Sequence, residues 1–206
     1  MPDAEPTLQV ALEVACTEAE GPGRRYALWV QGCPLRCVGC CNPEFLAFRP
    51  ATGRTPSAIA RDLAAAIADH AIEGLSLLGG EPTAQAEGVA DVAEVAQGLG
   101  LSVMVYSGFT LAALRERVDG GDVHLGRLLA ATDLLVDGPY VEAQRTTTRR
   151  FIGSDNQVLH VLGARARVDD PRLTAGNTIE LRVRVTPAGR RELVVNGWPV
   201  RGARTT

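Results

Sequence analysis

The sequence contains no lysine, and all 21 of its basic residues are arginine. No side chain can therefore form a lysine Schiff base or offer an ammonium group to a carboxylate ligand. Any ligand carboxylate would have to pair with arginine or with backbone N–H groups.

Other features are scarce as well. Aromatic residues make up only 4% of the chain, and no apolar run approaches the roughly 20 residues of a membrane span. Residues 1–5 are acidic and lack the apolar core of a signal peptide. A net charge of -3 gives no electrostatic footprint for nucleic acid. We therefore expect a cytoplasmic protein that binds neither membranes nor nucleic acid.

The 206 residues suffice for about one domain with a small appendage. Strand and helix periodicities alternate up to residue 162, and helices between successive strands imply parallel pairing, hence an α/β fold. Thr55 and Thr110 are predicted to cap two of the helices. The predicted strands are 26–31, 75–78, 101–106, 134–136 and 158–162. Predicted helices begin near residues 56, 111 and 125, and another is marked by Val89, Val92, Val95 or Ala96, and Leu99.

The alternation of strand and helix patterns stops after residue 162, so we divide the chain into a domain at 1–162 and an extension at 163–206. Residues 165–177 are polar and resemble a linker. Ile179, Leu181, Val183 and Val185 then alternate with polar residues, and Pro187-Ala188-Gly189 would turn the chain back. The alternation predicts a C-terminal β-hairpin whose apolar face packs on the domain or meets a partner.

Cysteine is concentrated in one place: four of the five cysteines fall within residues 33–41. This crowding makes a poor disulfide framework and suits a reduced compartment. Cys33, Cys37 and Cys40 follow a predicted strand, and three thiolates can hold three irons of a four-iron cluster while the fourth iron stays open. The alternative is a zinc knuckle with Cys41 as the fourth ligand, although adjacent cysteines cannot easily point at one metal.

The cysteine spacing resembles the cluster motif of the radical S-adenosylmethionine (SAM) enzymes, and further motifs in the same order resemble the activating proteins of anaerobic ribonucleotide reductase. These motifs span residues 21 to 162 and include Gly21-Pro22-Gly23-Arg24, Leu78-Gly79-Gly80-Glu81-Pro82, Tyr106-Ser107-Gly108-Phe109, Asp133-Leu134-Leu135-Val136-Asp137-Gly138 and Gly153-Ser154-Asp155-Asn156-Gln157.

The resemblance implies a partial (β/α) barrel with sites at the carboxyl ends of its strands. It also implies a [4Fe–4S] cluster on Cys33, Cys37 and Cys40 that cleaves SAM to a 5′-deoxyadenosyl radical. The partners implied are a glycyl-radical enzyme subunit and a flavodoxin or ferredoxin-type electron donor. The SAM-binding residues implied are Gly39, Cys41, Gly79, Gly80, Glu81 and Ser107.

Alternatives stay open at this stage. Gly79-Gly80 could be an ordinary strand-to-helix turn, and Ser107 could cap a turn. Cys41 stands where the family often carries an aromatic residue or histidine, so we expect it to offer only its backbone. The arginines of residues 145–150 could dock an acidic partner or form a solvated loop. Beside a radical SAM activase, the chain could be a stand-alone radical SAM enzyme or maturase, or a non-catalytic metal-binding interaction module.

Overall fold

The computed structural model describes residues 5–185 and 189–197. It contains nine strands, four α-helices and several short 3-10 turns. The strands are β1 (Leu8–Thr17), β2 (Arg25–Val30), β3 (Thr52–Arg54), β4 (Gly74–Gly79), β5 (Ser102–Tyr106), β6 (Leu134–Asp137), β7 (Val158–Val161), β8 (Glu180–Val185) and β9 (Arg191–Asn196). The helices are α1 (Pro56–His70), α2 (Ala86–Gly98), α3 (Leu111–Asp119) and α4 (Val123–Ala130).

Seven strands form one mixed sheet in the order β3-β1-β2-β4-β5-β6-β7. Strands β2, β4, β5 and β6 are parallel neighbours, as their helical connections predict. Strand β7 pairs with β6 in antiparallel fashion, because the connection between them contains no α-helix to carry the chain back across the sheet. The parallel centre places the carboxyl ends of β2, β4 and β5 side by side at one edge.

The two faces of the sheet are covered differently. The helices all pack on one face, where residues such as Leu28, Leu77 and Val105 meet Ile59 and Val92 in the main core. The opposite face carries two smaller clusters, one around Ala27, Trp29 and Leu78 and the other around Met104 and Val136. The fold is therefore α/β, with its helical layer on one side of a mixed sheet.

Helix starts agree with the local sequence. The hydroxyl oxygen of Thr55 accepts a hydrogen bond from the N–H of Ala58, and Thr110 does the same for Ala113, so both predicted caps are confirmed. Strands β1 and β3 are not predicted by the sequence pattern. Irregularities after Val10 and Val14 disturb the alternation in β1, and β3 has only three residues.

The segment before the hairpin is more than a linker. Leu173 packs against the Met104 cluster, the Arg165 N–H donates to the Asp133 carboxylate, and Arg172 pairs with Glu73 at 2.8 Å. These contacts attach residues 163–173 to the sheet domain. None of the helices in the described part of the chain has the length and apolar character needed to cross a bilayer.

The predicted hairpin is confirmed as strands β8 and β9, but it lies with its polar side inward. The Glu180 carboxylate accepts hydrogen bonds from the Thr17 hydroxyl at 2.8 Å and from the Glu18 N–H. Of the two alternatives for the apolar face, the structure does not show packing on the domain, because Leu181 is 66% exposed and Val183 is 68% exposed. Contact with a partner stays a prediction. The predicted turn at Pro187-Ala188 lies outside the described residues.

Candidate active site

The three-cysteine loop begins at the carboxyl end of β2 and closes back on its own start. The Gly32 N–H donates to the Phe45 carbonyl at 2.8 Å, and the Cys33 N–H donates to the Leu46 carbonyl at 3.0 Å. The Gln31 side-chain amide also donates to the Ala47 carbonyl at 2.7 Å. Residues 33–46 therefore form a closed loop anchored to the end of one strand, which we call the cysteine loop.

Tight turns bring the thiols into this loop. Arg36, between the first two cysteines, adopts a left-handed backbone with φ 51°, and Gly39 has φ 74°. Cys33 is buried and Cys37 and Cys40 are half-buried, whereas Cys41 is exposed. A side chain at Gly39 would also meet the Glu142 carboxylate, so this position needs glycine for two reasons.

The chemical surroundings of the thiols differ. Burial raises the pKa of Cys33, and the negative charge of Glu81 acts in the same direction. A hydrogen bond with the Cys41 thiol lowers the pKa of Cys40. Cys40 therefore deprotonates more readily than Cys33.

No group of three or more cysteine, histidine or acidic side chains within residues 5–185 and 189–197 is arranged to hold one metal ion. A four-iron cluster requires a different arrangement of ligands, because each cysteine ligates a different iron and the sulfur atoms lie farther apart than they do around one ion. Three soft thiol donors in one closed loop fit such a cluster. Cys41, the fourth ligand that a zinc site would need, is exposed and directly follows Cys40, and adjacent cysteines cannot easily point at one metal.

Gly79 and Gly80 lie where the end of β4 touches the chain leaving β2. A side chain at Gly79 would come within 2.7 Å of the Trp29 backbone, and one at Gly80 would collide with the Gly32 carbonyl. Gly79 also has φ 110°. The pair is therefore required by the packing of the fold itself, whatever ligand its backbone meets.

Glu81 and Ser107 are brought together by the ends of β4 and β5. The Ser107 hydroxyl donates to Glu81 Oε1 at 3.0 Å, and the Gly108 N–H donates to Glu81 Oε2 at 2.8 Å. Both side chains are buried. Of the predicted site residues, these two are joined directly, and the Glu81 N–H also donates to the Gly32 carbonyl beside Cys33 at 2.8 Å.

The other motifs of the sequence hold loops in place. The Asp137 carboxylate accepts from the Leu111 N–H at the start of α3. In the 153–157 run, the Gln157 carboxamide bonds both to the Gly153 N–H and to the Gly138 carbonyl. Arg149 donates to the Asp155 carbonyl at 2.9 Å, so at least this arginine of the basic loop supports the fold.

Two polar residues of the site were not identified from the sequence. The Thr83 hydroxyl donates to Glu81 Oε1 at 2.8 Å, and Arg117 donates to that hydroxyl oxygen at 3.2 Å. Thr83 could have been found, because an acidic residue followed by proline is typical of a capped helix start, and Glu81 caps the Pro82–Gln85 turn. Arg117 lies 34 residues away from Thr83, and no local pattern connects them.

Residues 19–160 match the protein family described as "4Fe-4S single cluster domain". An anaerobic ribonucleoside-triphosphate reductase-activating protein of Vibrio cholerae serotype O1 is 31% identical over 147 residues, covering 68% of this chain and 89% of that protein. Proteins of the same name from Escherichia coli K12 and phage T4 are 30% and 27% identical, covering 69% and 70% of this chain and 91% and 88% of their own lengths. The chain therefore belongs to the 4Fe-4S single cluster domain family, together with these activating proteins.

Proposed function

We propose that this protein is a radical SAM activase that generates a glycyl radical on a partner enzyme of the anaerobic ribonucleotide reductase type. The observation that carries the proposal is the closed three-cysteine loop at the carboxyl end of β2, beside the glycine pair that ends β4. Relatives named as activating proteins, similar over about two thirds of the chain, support the same conclusion. We also propose a partial (β/α) barrel and a cytoplasmic location.

Different residues of the chain would bind the cluster and SAM. Cys33, Cys37 and Cys40 would each ligate one iron, while Gly39, Cys41, Gly79 and Gly80 would approach SAM through their backbone, with Ser107 beside them. The bound cluster would supply the electron that cleaves SAM, and the resulting radical would take a hydrogen atom from a partner glycine. A flavodoxin or ferredoxin-type protein would deliver the electron. Since the chain has no lysine, arginine or backbone N–H groups must meet the SAM carboxylate.

The direct test is anaerobic reconstitution with iron and sulfide, followed by measurement of 5′-deoxyadenosine with and without an anaerobic reductase subunit. We expect SAM cleavage under reducing conditions and a glycyl-radical electron paramagnetic resonance (EPR) signal only when the subunit is present. Protein that binds zinc, assembles no cluster and never cleaves SAM would instead be a metal-binding interaction module.

One observation favours a second candidate. A family match that ends at residue 160 leaves the hairpin outside it. A stand-alone radical SAM enzyme or maturase could use such an extension to bind a peptide or small molecule. SAM cleavage that is stimulated by a peptide substrate and unaffected by any reductase subunit would favour this function over the first.

A further inference from the structure

Glu81 has a buried carboxylate that accepts four hydrogen bonds from within the protein. The residue is 1% exposed. Its Oε1 atom accepts from the Thr83 N–H at 3.0 Å, the Thr83 hydroxyl at 2.8 Å and the Ser107 hydroxyl at 3.0 Å, and its Oε2 atom accepts from the Gly108 N–H at 2.8 Å. Oε1 is therefore fully used by donors within the protein, whereas Oε2 accepts a single one of them.

The four donors come from two segments that follow neighbouring strands of the sheet. Thr83 belongs to the turn that follows β4, whereas Ser107 and Gly108 follow β5. The carboxylate therefore ties together the carboxyl ends of two neighbouring parallel strands. Hydrogen bonds to an ionised acceptor are stronger than neutral ones, so this connection is rigid.

The cysteine loop lies directly against the segment that Glu81 holds. The backbone N–H of Glu81 donates to the carbonyl of Gly32, the residue before Cys33, at 2.8 Å. Leu35, between Cys33 and Cys37, occupies the space that a side chain at Gly108 would fill. Glu81 thus contacts the start of the loop through its backbone and supports Leu35 through Gly108.

The charge of Glu81 has no direct counter-ion among the residues that the structure describes. Arg117 reaches it only through Thr83, donating to the Thr83 hydroxyl at 3.2 Å, and is itself paired with Asp122 at 2.8 Å. Burial raises the pKa of Glu81, while its four hydrogen bonds oppose that change. A negative charge held in a low-dielectric interior disfavours the addition of an electron nearby.

We propose that Glu81 is a positioning residue for the cysteine loop. Its buried carboxylate holds Gly108, against which Leu35 packs, and places a negative charge near Cys33. It would act through Gly32, Gly108 and Leu35. The inference rests on the proposed function in one respect: it assumes that the cysteine loop binds the iron–sulfur cluster.

The test compares Glu81→Gln with Glu87→Gln, a matched control at an exposed position on α2. The Tm, iron content, EPR spectrum and reduction potential are measured on full-length protein without SAM at mildly alkaline pH, and SAM affinity and cleavage are measured separately. An amide at position 81 keeps the size of the side chain but replaces one acceptor oxygen by a donor group. We expect a Tm of the metal-free protein lower by several degrees. In the reconstituted protein we expect an altered EPR spectrum and a higher cluster reduction potential, because the negative charge is gone.

Ser107→Ala is the second variant, in case Glu81→Gln fails to fold. It removes one donor and keeps the charge, so we expect a smaller loss of Tm, an altered EPR spectrum and no rise in potential. If the variant that folds matches Glu87→Gln in iron content, EPR spectrum and potential, the inference is refuted, whether or not its Tm has fallen. A change confined to SAM affinity would make Glu81 a cofactor ligand. Absence of SAM cleavage in every variant would refute the proposed function and leave this comparison intact.

Discussion

At the scale of single residues, the cysteine loop separates thiols that face different surroundings. Cys33 is buried just after the end of β2, Cys37 and Cys40 are half-buried, and Cys41 is exposed. The left-handed backbone at Arg36 turns the chain between Cys33 and Cys37. These differences allow one kind of substitution to be compared at neighbouring positions.

We predict that Cys33→Ser, Cys37→Ser or Cys40→Ser will each lose the cluster and abolish SAM cleavage, because a hydroxyl is a poor iron–sulfur ligand. Cys41→Ser is the matched control and should retain the iron content of the wild type. Iron and sulfide analysis after anaerobic reconstitution checks both. Iron retained in Cys33→Ser but lost in Cys41→Ser would reverse the ligand assignment.

Gly80 provides a second residue-scale prediction. The family resemblance implies that Gly80 binds SAM, and the structure shows in addition that a Cβ atom here would collide with the Gly32 carbonyl beside Cys33. We therefore expect Gly80→Ala to destabilise the protein by about 1–3 kcal/mol and to reduce cluster loading as well. Gly176→Ala, at a site with open space around the added atom, is the control. Normal stability and iron content in Gly80→Ala would contradict this expectation.

At the scale of elements, the hairpin is attached by polar contacts and leaves its apolar face outward. Its anchors are Glu180 on Thr17 and a hydrogen bond from Arg182 to the Cys16 carbonyl. An apolar two-stranded surface of this kind is unusual on a monomer and marginal in stability by itself. The anchors lie at the end of β1, where Thr17 pairs with Arg25 at the start of β2, whereas the cysteine loop follows the other end of that strand. We therefore expect cluster assembly not to require the hairpin.

We predict that truncation after Gly176 will remove the hairpin and leave cluster assembly unchanged. The truncation point follows Leu173, because residues 163–173 pack on the sheet domain and should be kept. Iron content and uncoupled SAM cleavage should match those of the full chain. A truncated protein that folds but cannot hold iron would show that the hairpin belongs to the core.

At the scale of the whole molecule, stability should depend on pH through Glu20. Burial raises the pKa of Glu20 to about 7, opposed by a hydrogen bond from the Gly197 N–H. The folded protein therefore holds this proton more tightly than the unfolded chain does. The resulting contribution to stability is complete below the ordinary value of 4.5 and is lost as the pH rises to about 7.

Glu20→Gln should flatten this dependence and raise the free energy of unfolding above neutral pH by on the order of 1 kcal/mol. The amide keeps an oxygen that can accept from Gly197. Urea unfolding across the pH range measures the effect, and Glu18→Gln, at an exposed position nearby, is the control. Equal slopes in the Glu20→Gln and wild-type proteins would show that the carboxyl is not perturbed in the folded state.

The sequence by itself determined the alternation of strands and helices from β2 to β7 apart from the short β3, the caps at Thr55 and Thr110, and the grouping of three cysteines in one loop. Each of these depends on residues close together in the chain, where periodicity and backbone preference act locally. The adjacency of the cysteine loop to Gly79-Gly80 also follows from parallel pairing, since carboxyl ends of neighbouring strands share one edge.

Only the tertiary structure decided what these residues touch. The bonds from Ser107 and Gly108 to Glu81, the approach of Gly80 to Gly32, and the inward polar side of the hairpin join segments far apart in sequence. Alternation gives a strand two faces but does not say which of them the rest of the chain will cover. Which face is covered is decided only when the whole chain folds, because burial and hydrogen bonding must then be satisfied together.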